Sequence, residues 1–304
     1  MNIFLSGGSG FLGSHVADAL SEAGHNVTIY DRIESPYLRP DQKMVIGDLT
    51  FRRKLFHELR KIDVVYHLAA LCDINVTWSD PHATIQANVV GTANILEAMR
   101  LNGVKKIVFA STLYVESRAG GLYRATKQAG EELVKTYYQY AGIDYLILRF
   151  GTLYGTRAKE NNGIYKYLKQ ALLEGKIDHY GTGNEVREFI HVKDCAKICV
   201  SLLEKFGTPA SQQTLILTGY HRIRIFELLE MINEVLNKKI EVIYHPEDNR
   251  CHYDYLPYSY IPQVASRIIP DTYLDFGGSL VEMLEEINKT NKKGDITQEV
   301  SATP

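Results

Sequence analysis

Residues 2–6, Asn-Ile-Phe-Leu-Ser, form a short apolar run that stops at a glycine-rich stretch, and an amphipathic segment follows over about 11–23. Val27 to Asp31 is the next apolar run. A short apolar run bounded by turn residues predicts a strand buried on both faces, and a 3.6-residue rhythm predicts a helix. The alternation continues with strands over 43–49, 64–70, 106–112 and 145–149, and helices over about 82–101 and 122–141. Strands that alternate with helices predict an α/β chain with a doubly wound parallel sheet. After about residue 152 the pattern loosens. A helix is expected over 164–174, a short strand over 189–192, a helix over 195–203, a strand over 215–217 and a strongly amphipathic helix over 225–236. From about Lys289 the chain is polar, with Lys292-Lys293-Gly294, and the residues to 304 read as a flexible tail.

Composition narrows the function classes. The 304 residues are 45% hydrophobic and 23% charged, enough to bury a sizeable core. Lys plus Arg number 34 against 36 Asp plus Glu, a net charge of −2. That balance lacks the basic face with which proteins recover phosphate affinity, so no nucleic-acid partner is expected. No apolar run reaches the roughly 20 residues that span a bilayer, and the first residues lack the positive start of a signal peptide. A cytoplasmic chain without a membrane partner is expected. Cys72, Cys195, Cys199 and Cys251 are scattered. His191, Cys195 and Cys199 stand at i, i+4, i+8, but Asp194 reads as a helix N-cap that leaves His191 outside the helix. No metal site is expected.

The turn after the first strand carries Gly7, Gly10 and Gly13. Glycine there permits a tight turn, a close backbone approach to a pyrophosphate and close helix-to-strand packing. The pyrophosphate rests on the positive end of the helix dipole. Asp31 stands 18 residues after Gly13, at the end of the second strand, where a carboxylate can take the ribose hydroxyls of a dinucleotide. An acid there repels a 2′-phosphate, which favours NAD over NADP, and Arg32 beside it works in the opposite sense. Tyr123 and Lys127 lie at i, i+4 and share one helix face. An ammonium near a phenol favours the phenolate, which makes the tyrosine a usable base. Ser111 and Thr112 end the preceding strand, and that carboxyl end opens on the crevice where such sheets bind ligands.

Together these residues resemble the extended short-chain dehydrogenase/reductase family, in its nucleotide-sugar epimerase/dehydratase branch. The resemblance runs over nearly the whole chain and includes Asp48-Leu49, Leu68-Ala69-Ala70, Asn88, the 149–155 stretch ending Leu153-Tyr154-Gly155, and the 187–194 stretch around Arg187. It implies a Rossmann domain over 1–151 plus about 187–218, and a smaller interleaved substrate domain over 152–186 and 219–288. It implies that NAD is bound by Gly7, Gly10, Phe11, Leu12, Gly13, Asp31, Arg32, Asp48, Leu49, Leu68, Ala69, Ala70, Asn88, Ser111, Tyr123 and Lys127. Tyr123 would be the acid/base, Lys127 would hold the nicotinamide ribose, and Thr112 would bond the reacting sugar oxygen. Thr152 and Arg187 would contact a nucleotide-diphosphate sugar, and Arg250 and Arg267 are both candidates for a second phosphate contact, Arg250 in a loop being preferred. A homodimer is implied through the helices near 85–101 and 122–141, where Ile95, Met99, Leu133, Tyr137 and Tyr140 offer apolar positions.

Departures from the family narrow the reaction. In 4,6-dehydratases the threonine is followed by Asp-Glu, and decarboxylating members carry a glutamate where Tyr114 stands; here Leu113-Tyr114 follow Thr112. Glu116 points elsewhere if the strand continues. What remains is an epimerase, at carbon 4 through a transient 4-keto sugar, or else a 4-dehydrogenase or 4-ketosugar reductase on the same substrates. Only ten residues separate Thr112 from Tyr123, and Thr152 stands where the family has asparagine, so the pocket departs from the usual one. Tyr253, Tyr255, Tyr258 and Tyr260 crowd one stretch, as a wall for a nucleotide base or as loop packing.

Overall fold

A computed structural model describes residues 1–208, 211–246, 252–254, 256–257, 266–268 and 272–300. The first half runs β1 (Asn2–Ser6), α1 (Phe11–Glu22), β2 (Asn26–Asp31), β3 (Lys43–Ile46), α2 (Arg52–Glu58), β4 (Val64–His67), α3 (Ile74–Thr77), α4 (Pro81–Ile85), α5 (Gly91–Asn102), β5 (Lys106–Thr112), α6 (Gly121–Ala141) and β6 (Asp144–Phe150). The second half runs β7 (Thr152–Tyr154), α7 (Gly163–Leu173), β8 (Lys176–His179), β9 (Val186–His191), α8 (Val192–Ser201), β10 (Gln213–Leu217), β11 (Arg222–Arg224), α9 (Ile225–Leu236), β12 (Glu241–Tyr244), β13 (Ser266–Ile268) and α10 (Phe276–Val300).

Eight strands pair in the order β13-β10-β6-β5-β4-β1-β2-β3, and the pairings are parallel. This is the doubly wound sheet that the alternation predicts. Each strand feeds both faces because successive side chains point opposite ways. On β1, Ile3 and Leu5 pack with α1 and α8, whereas Phe4 joins the core under α2, α5 and α6. A separate core of Tyr154, Leu168, Ile177, Leu228, Ile232, Leu280 and Met283 unites α7, α9 and α10. Two small sheets, β11-β9-β7 and β12-β8, lie in this second half.

Several expectations change. The helix expected over 82–101 is continuous from Pro81 to Asn102 but irregular: α4 passes into a wide π turn, Gln86–Val90, before α5 begins. β5 ends at Thr112 and a 3-10 turn, Leu113–Glu116, follows, so the alternation argument for Glu116 does not apply. Asp194 is not the cap of α8. β9 runs directly into that helix, His191 caps it by accepting from the Lys193 amide at 3.3 Å, and Asp194 accepts from the Leu274 amide. No three His, Cys, Asp or Glu side chains among the described residues converge to hold a metal. The stretch from 289 reads as loose because it is polar, yet the backbone stays helical to Val300. Ile95 and Met99 are fully buried against the sheet and present nothing to a partner.

Candidate active site

The site begins where β1 turns into α1. Gly7 has φ +82°, and a Cβ there would stand 2.6 Å from the Ala69 amide nitrogen. A Cβ on Gly13 would stand 2.1 Å from the Gly7 carbonyl oxygen. Any side chain at either position would force the backbone apart. Gly10 caps α1 without a side chain, so the first-turn amides of Phe11, Leu12 and Gly13 receive no side-chain cap where they border the cavity. The Asp31 carboxylate, at the end of β2, accepts from the Ser9 amide at 3.0 Å and so sits beside that turn. An uncapped helix start, a backbone closed to side chains and an adjacent carboxylate fit the pyrophosphate and ribose of a dinucleotide.

A cavity of about 1130 Å³ extends from this cradle to Tyr253. That exceeds the roughly 300–1,000 Å³ usual for one small ligand, so it has room for a cofactor and a second molecule. Gly7, Gly10, Phe11, Leu12, Gly13, Asp31, Arg32, Asp48, Leu49, Leu68, Ala69, Ala70, Ser111, Thr112, Tyr123, Lys127, Thr152 and Arg187 all line it. Asn88 does not. From the π turn its side-chain oxygen accepts from the Leu71 amide at 2.8 Å, and its nitrogen donates to the Leu71 carbonyl at 2.9 Å and to Thr126 at 3.0 Å. It holds the bed on which Leu68, Ala69 and Ala70 lie. Arg250, Tyr255, Tyr258 and Tyr260 lie outside the described residues.

Thr112, Tyr123 and Lys127 meet on one wall. Lys127 is buried, donates to the Ala110 carbonyl at 2.8 Å, and has its ammonium 5.9 Å from the Tyr123 ring centre. Burial pulls the Lys127 pKa down to about 8, while Cys72 and Glu131 act to raise it. Burial also drives the Tyr123 phenol well above its ordinary value, Cys72 and Tyr114 adding to the rise and a Thr112 hydrogen bond opposing it. Without a ligand, Lys127 turns its ammonium to a backbone carbonyl, and burial favours the neutral form of Tyr123.

Behind this wall stands a buried ion network. Arg149, on β6, bonds Glu131 through Nε at 2.9 Å and Nη2 at 2.7 Å, and also bonds Glu116 in the 3-10 turn. Ser111 donates to Glu131 at 2.5 Å. The strand carrying Thr112 and the helix carrying Tyr123 are thereby tied to one guanidinium. Ser111 lines the cavity with its hydroxyl committed inward. Glu116, set aside in the sequence, is one of the ties.

Opposite, the Tyr114 hydroxyl lies 2.6 Å from His252 Nδ1, the Tyr253 ring leans on Tyr114 at 4.9 Å, and the Arg187 guanidinium covers Tyr253 at 4.3 Å. Thr152 hydrogen-bonds Tyr253. The spacing of the sequence gives Tyr114 no basic partner; the fold supplies an imidazole from 138 residues away. No local signal could have found it. Cys72, which also faces Tyr123 from the cavity wall, had no distinguishing neighbours in the sequence.

The sequence profile of the NAD dependent epimerase/dehydratase family matches residues 3–215. The chain belongs to that family. It is 28% identical over 266 residues to an uncharacterized UDP-glucose epimerase of Bacillus subtilis, covering 79% of this chain and 83% of that one. It is 27% identical over 268 residues to a UDP-N-acetyl-alpha-D-glucosaminuronate decarboxylase of Bacillus cytotoxicus, covering 80% and 82%. Its fold superposes on the UDP-glucuronic acid 4-epimerase of Bacillus cereus, solved with UDP-glucuronic acid and NAD, with a TM-score of 0.82 at 23% identity, over 95% of this chain and 100% of that one. Among the described residues no helix is long and apolar enough to cross a membrane.

Proposed function

We propose that this chain is an NAD-dependent nucleotide-sugar epimerase acting at carbon 4. The observation that carries the reading is one cavity lined by both the glycine cradle with Asp31 and the Thr112, Tyr123 and Lys127 set. Residues 1–151 with about 187–218 hold the cofactor, and 152–186 with 219–288 hold the sugar nucleotide, Arg187 and Arg250 serving its diphosphate. The glycine-turn amides take the cofactor pyrophosphate, Asp31 the adenosine ribose and Lys127 the nicotinamide ribose. NAD, when bound, would supply a reversible hydride acceptor for carbon 4 and a positive charge beside Tyr123.

Thr112 orients the carbon-4 hydroxyl, and Tyr123 takes its proton as that carbon is oxidised. The 4-keto sugar turns within the wide cavity, is reduced on its other face, and recovers the proton from Tyr123. No group has to abstract a carbon-bound proton. The test is incubation with UDP-, dTDP-, GDP- and CDP-sugars in deuterated water without added cofactor. A carbon-4 stereoisomer free of solvent deuterium on carbon is expected. Deuterium at carbon 3 or 5 overturns the simple hydride return, and stoichiometric NADH moves the assignment to a dehydrogenase.

The working form is a cytoplasmic homodimer paired through α5 and α6. With Ile95 and Met99 in the core, the pairing relies on the outer face, where Leu101 and Tyr138 are exposed and Tyr140 is 87% exposed. Light scattering at micromolar concentration should give twice the chain mass.

A further inference from the structure

We propose that Tyr167 is a specificity residue whose hydroxyl oxygen accepts a hydrogen bond from the nucleoside half of the substrate. The donor is a base N–H or a ribose O–H, because Glu185 and His179 commit the one proton of the Tyr167 hydroxyl inward. The inference rests on the sugar-nucleotide reading of the site. The three side chains come from α7, β8 and the turn before β9, and all line the cavity. Tyr167 Oη lies 2.7 Å from His179 Nδ1, and His179 Nε2 lies 3.1 Å from Glu185 Oε2. The turn is closed onto them: a Cβ on Gly181 would stand 2.5 Å from Glu185 Oε1 and 2.8 Å from His179 Nε2.

Each proton in this line is fixed by the next group. The Glu185 carboxylate accepts from the Thr182 amide at 2.6 Å, the Thr182 hydroxyl at 3.1 Å and the Gly183 amide at 2.9 Å. Burial acts against its charge, yet hydrogen bonds from the Thr182 amide, its own amide and His179 hold the carboxyl below its ordinary value. An ionised carboxylate can only accept, so His179 Nε2 carries the proton. Burial lowers the imidazole below its ordinary value despite Glu185, with Arg187 and His245 adding to the fall. His179 is therefore neutral at neutral pH, and its Nδ1 is a bare acceptor. Burial raises the Tyr167 phenol, which keeps its proton and gives it to Nδ1. Toward a ligand Tyr167 has lone pairs to offer.

Position decides which part of the ligand meets them. Contacts run from Thr112 through Tyr114 and Tyr253 to the Arg187 guanidinium, whose charge also reaches Tyr167 and His179. With the sugar at Thr112 and the diphosphate at Arg187, the nucleoside comes next, at Tyr167. Phosphate oxygens need donors and gain nothing from a hydroxyl that only accepts. A base N–H or a ribose hydroxyl does gain.

Two measurements test this. In ¹⁵N NMR of the histidine-labelled wild type at neutral pH, His179, assigned by the loss of its signals in His179→Gln, should show a protonated Nε2 and a bare Nδ1. The opposite tautomer, or an imidazolium, overturns the relay. In titration calorimetry of the NAD-loaded protein, Tyr167→Phe should bind the tightest of UDP, dTDP, GDP and CDP about 10-fold more weakly than the wild type does. Analogues of that nucleotide then remove one donor each, by methylating the base N–H or deleting a ribose hydroxyl. One analogue should cost the wild type about 10-fold and Tyr167→Phe less than about 2-fold, because the bond it deletes is already gone. A residue that merely packs would not single out one analogue. An unchanged affinity in Tyr167→Phe, or equal losses in both proteins for every analogue, overturns the proposal. If none of the four nucleotides binds, the sugar-nucleotide reading falls, and the proposal with it.

Discussion

Arg149 grips Glu131 with two parallel hydrogen bonds, 2.9 and 2.7 Å long, in a place where both side chains are almost wholly buried. The pair ties β6 to α6 one helical turn beyond Lys127. Ion pairs of this kind add little by existing, because each charge loses its hydration. Their removal by halves is costly. Glu131→Gln should lower the free energy of unfolding by about 3 kcal/mol, read from urea denaturation, since it leaves the buried guanidinium with Glu116 alone as counter-charge. A loss under about 1 kcal/mol would mean that Glu116 alone suffices to hold the charge.

Tyr123→Phe should retain NAD and lose turnover by about 10²-fold or more, because it deletes the positioned proton acceptor. In the wild type, spectroscopic titration should show the phenolate of Tyr123 at lower pH when the protein carries NAD than after NAD is stripped, with Tyr123→Phe as the blank. An identical titration in both forms would break the link between cofactor charge and base strength.

Asp31→Ala should weaken NAD and narrow its advantage over NADP, since the carboxylate that repels a 2′-phosphate is gone while Arg32 remains at the cavity edge. Fluorescence titration with both cofactors measures the ratio. An unchanged ratio would remove Asp31 from the ribose site.

Acid should destabilise the fold through histidines buried in neutral form. Burial lowers His15 and His191 to about 4 and His67 to about 3, from an ordinary 6.5. Below 6.5 the unfolded chain binds these protons and the folded chain does not, so stability present above pH 6.5 is lost as pH falls toward 4. The urea midpoint should therefore drop between pH 7 and pH 5. A midpoint that is flat over that window would contradict the buried neutral state.

The parts of this molecule that local rules govern were readable from residues alone. Gly7 and Gly13 mark a backbone that tolerates no Cβ, and a short apolar run such as 106–112 becomes β5 at the same limits. The parts set by distant contacts were not. The π turn at 86–90 keeps an ordinary helical sequence and is given away only by what Asn88 reaches. Tyr123 and Lys127 share a helix face as the spacing requires, but the Ala110 carbonyl, which claims the ammonium, belongs to another strand. His252 arrives beside Tyr114 from a stretch with no regular pattern.

The Asn88 amide treats Leu71 as a neighbouring strand would, meeting its N–H and its C=O together. The backbone beyond β4 is thus held by the fold at both ends of the bed, at Leu68 by the Ser6 carbonyl and at Leu71 by Asn88. A dinucleotide settling on Leu68, Ala69 and Ala70 then has no loop to freeze, and ordering entropy subtracts little from its affinity. Slow release follows from the same rigidity, because departure gains no disorder in the bed left behind. For a reaction that gives back every hydride it takes, a cofactor that never has to leave is the economical arrangement, and one side chain on an irregular turn of helix goes far toward supplying it.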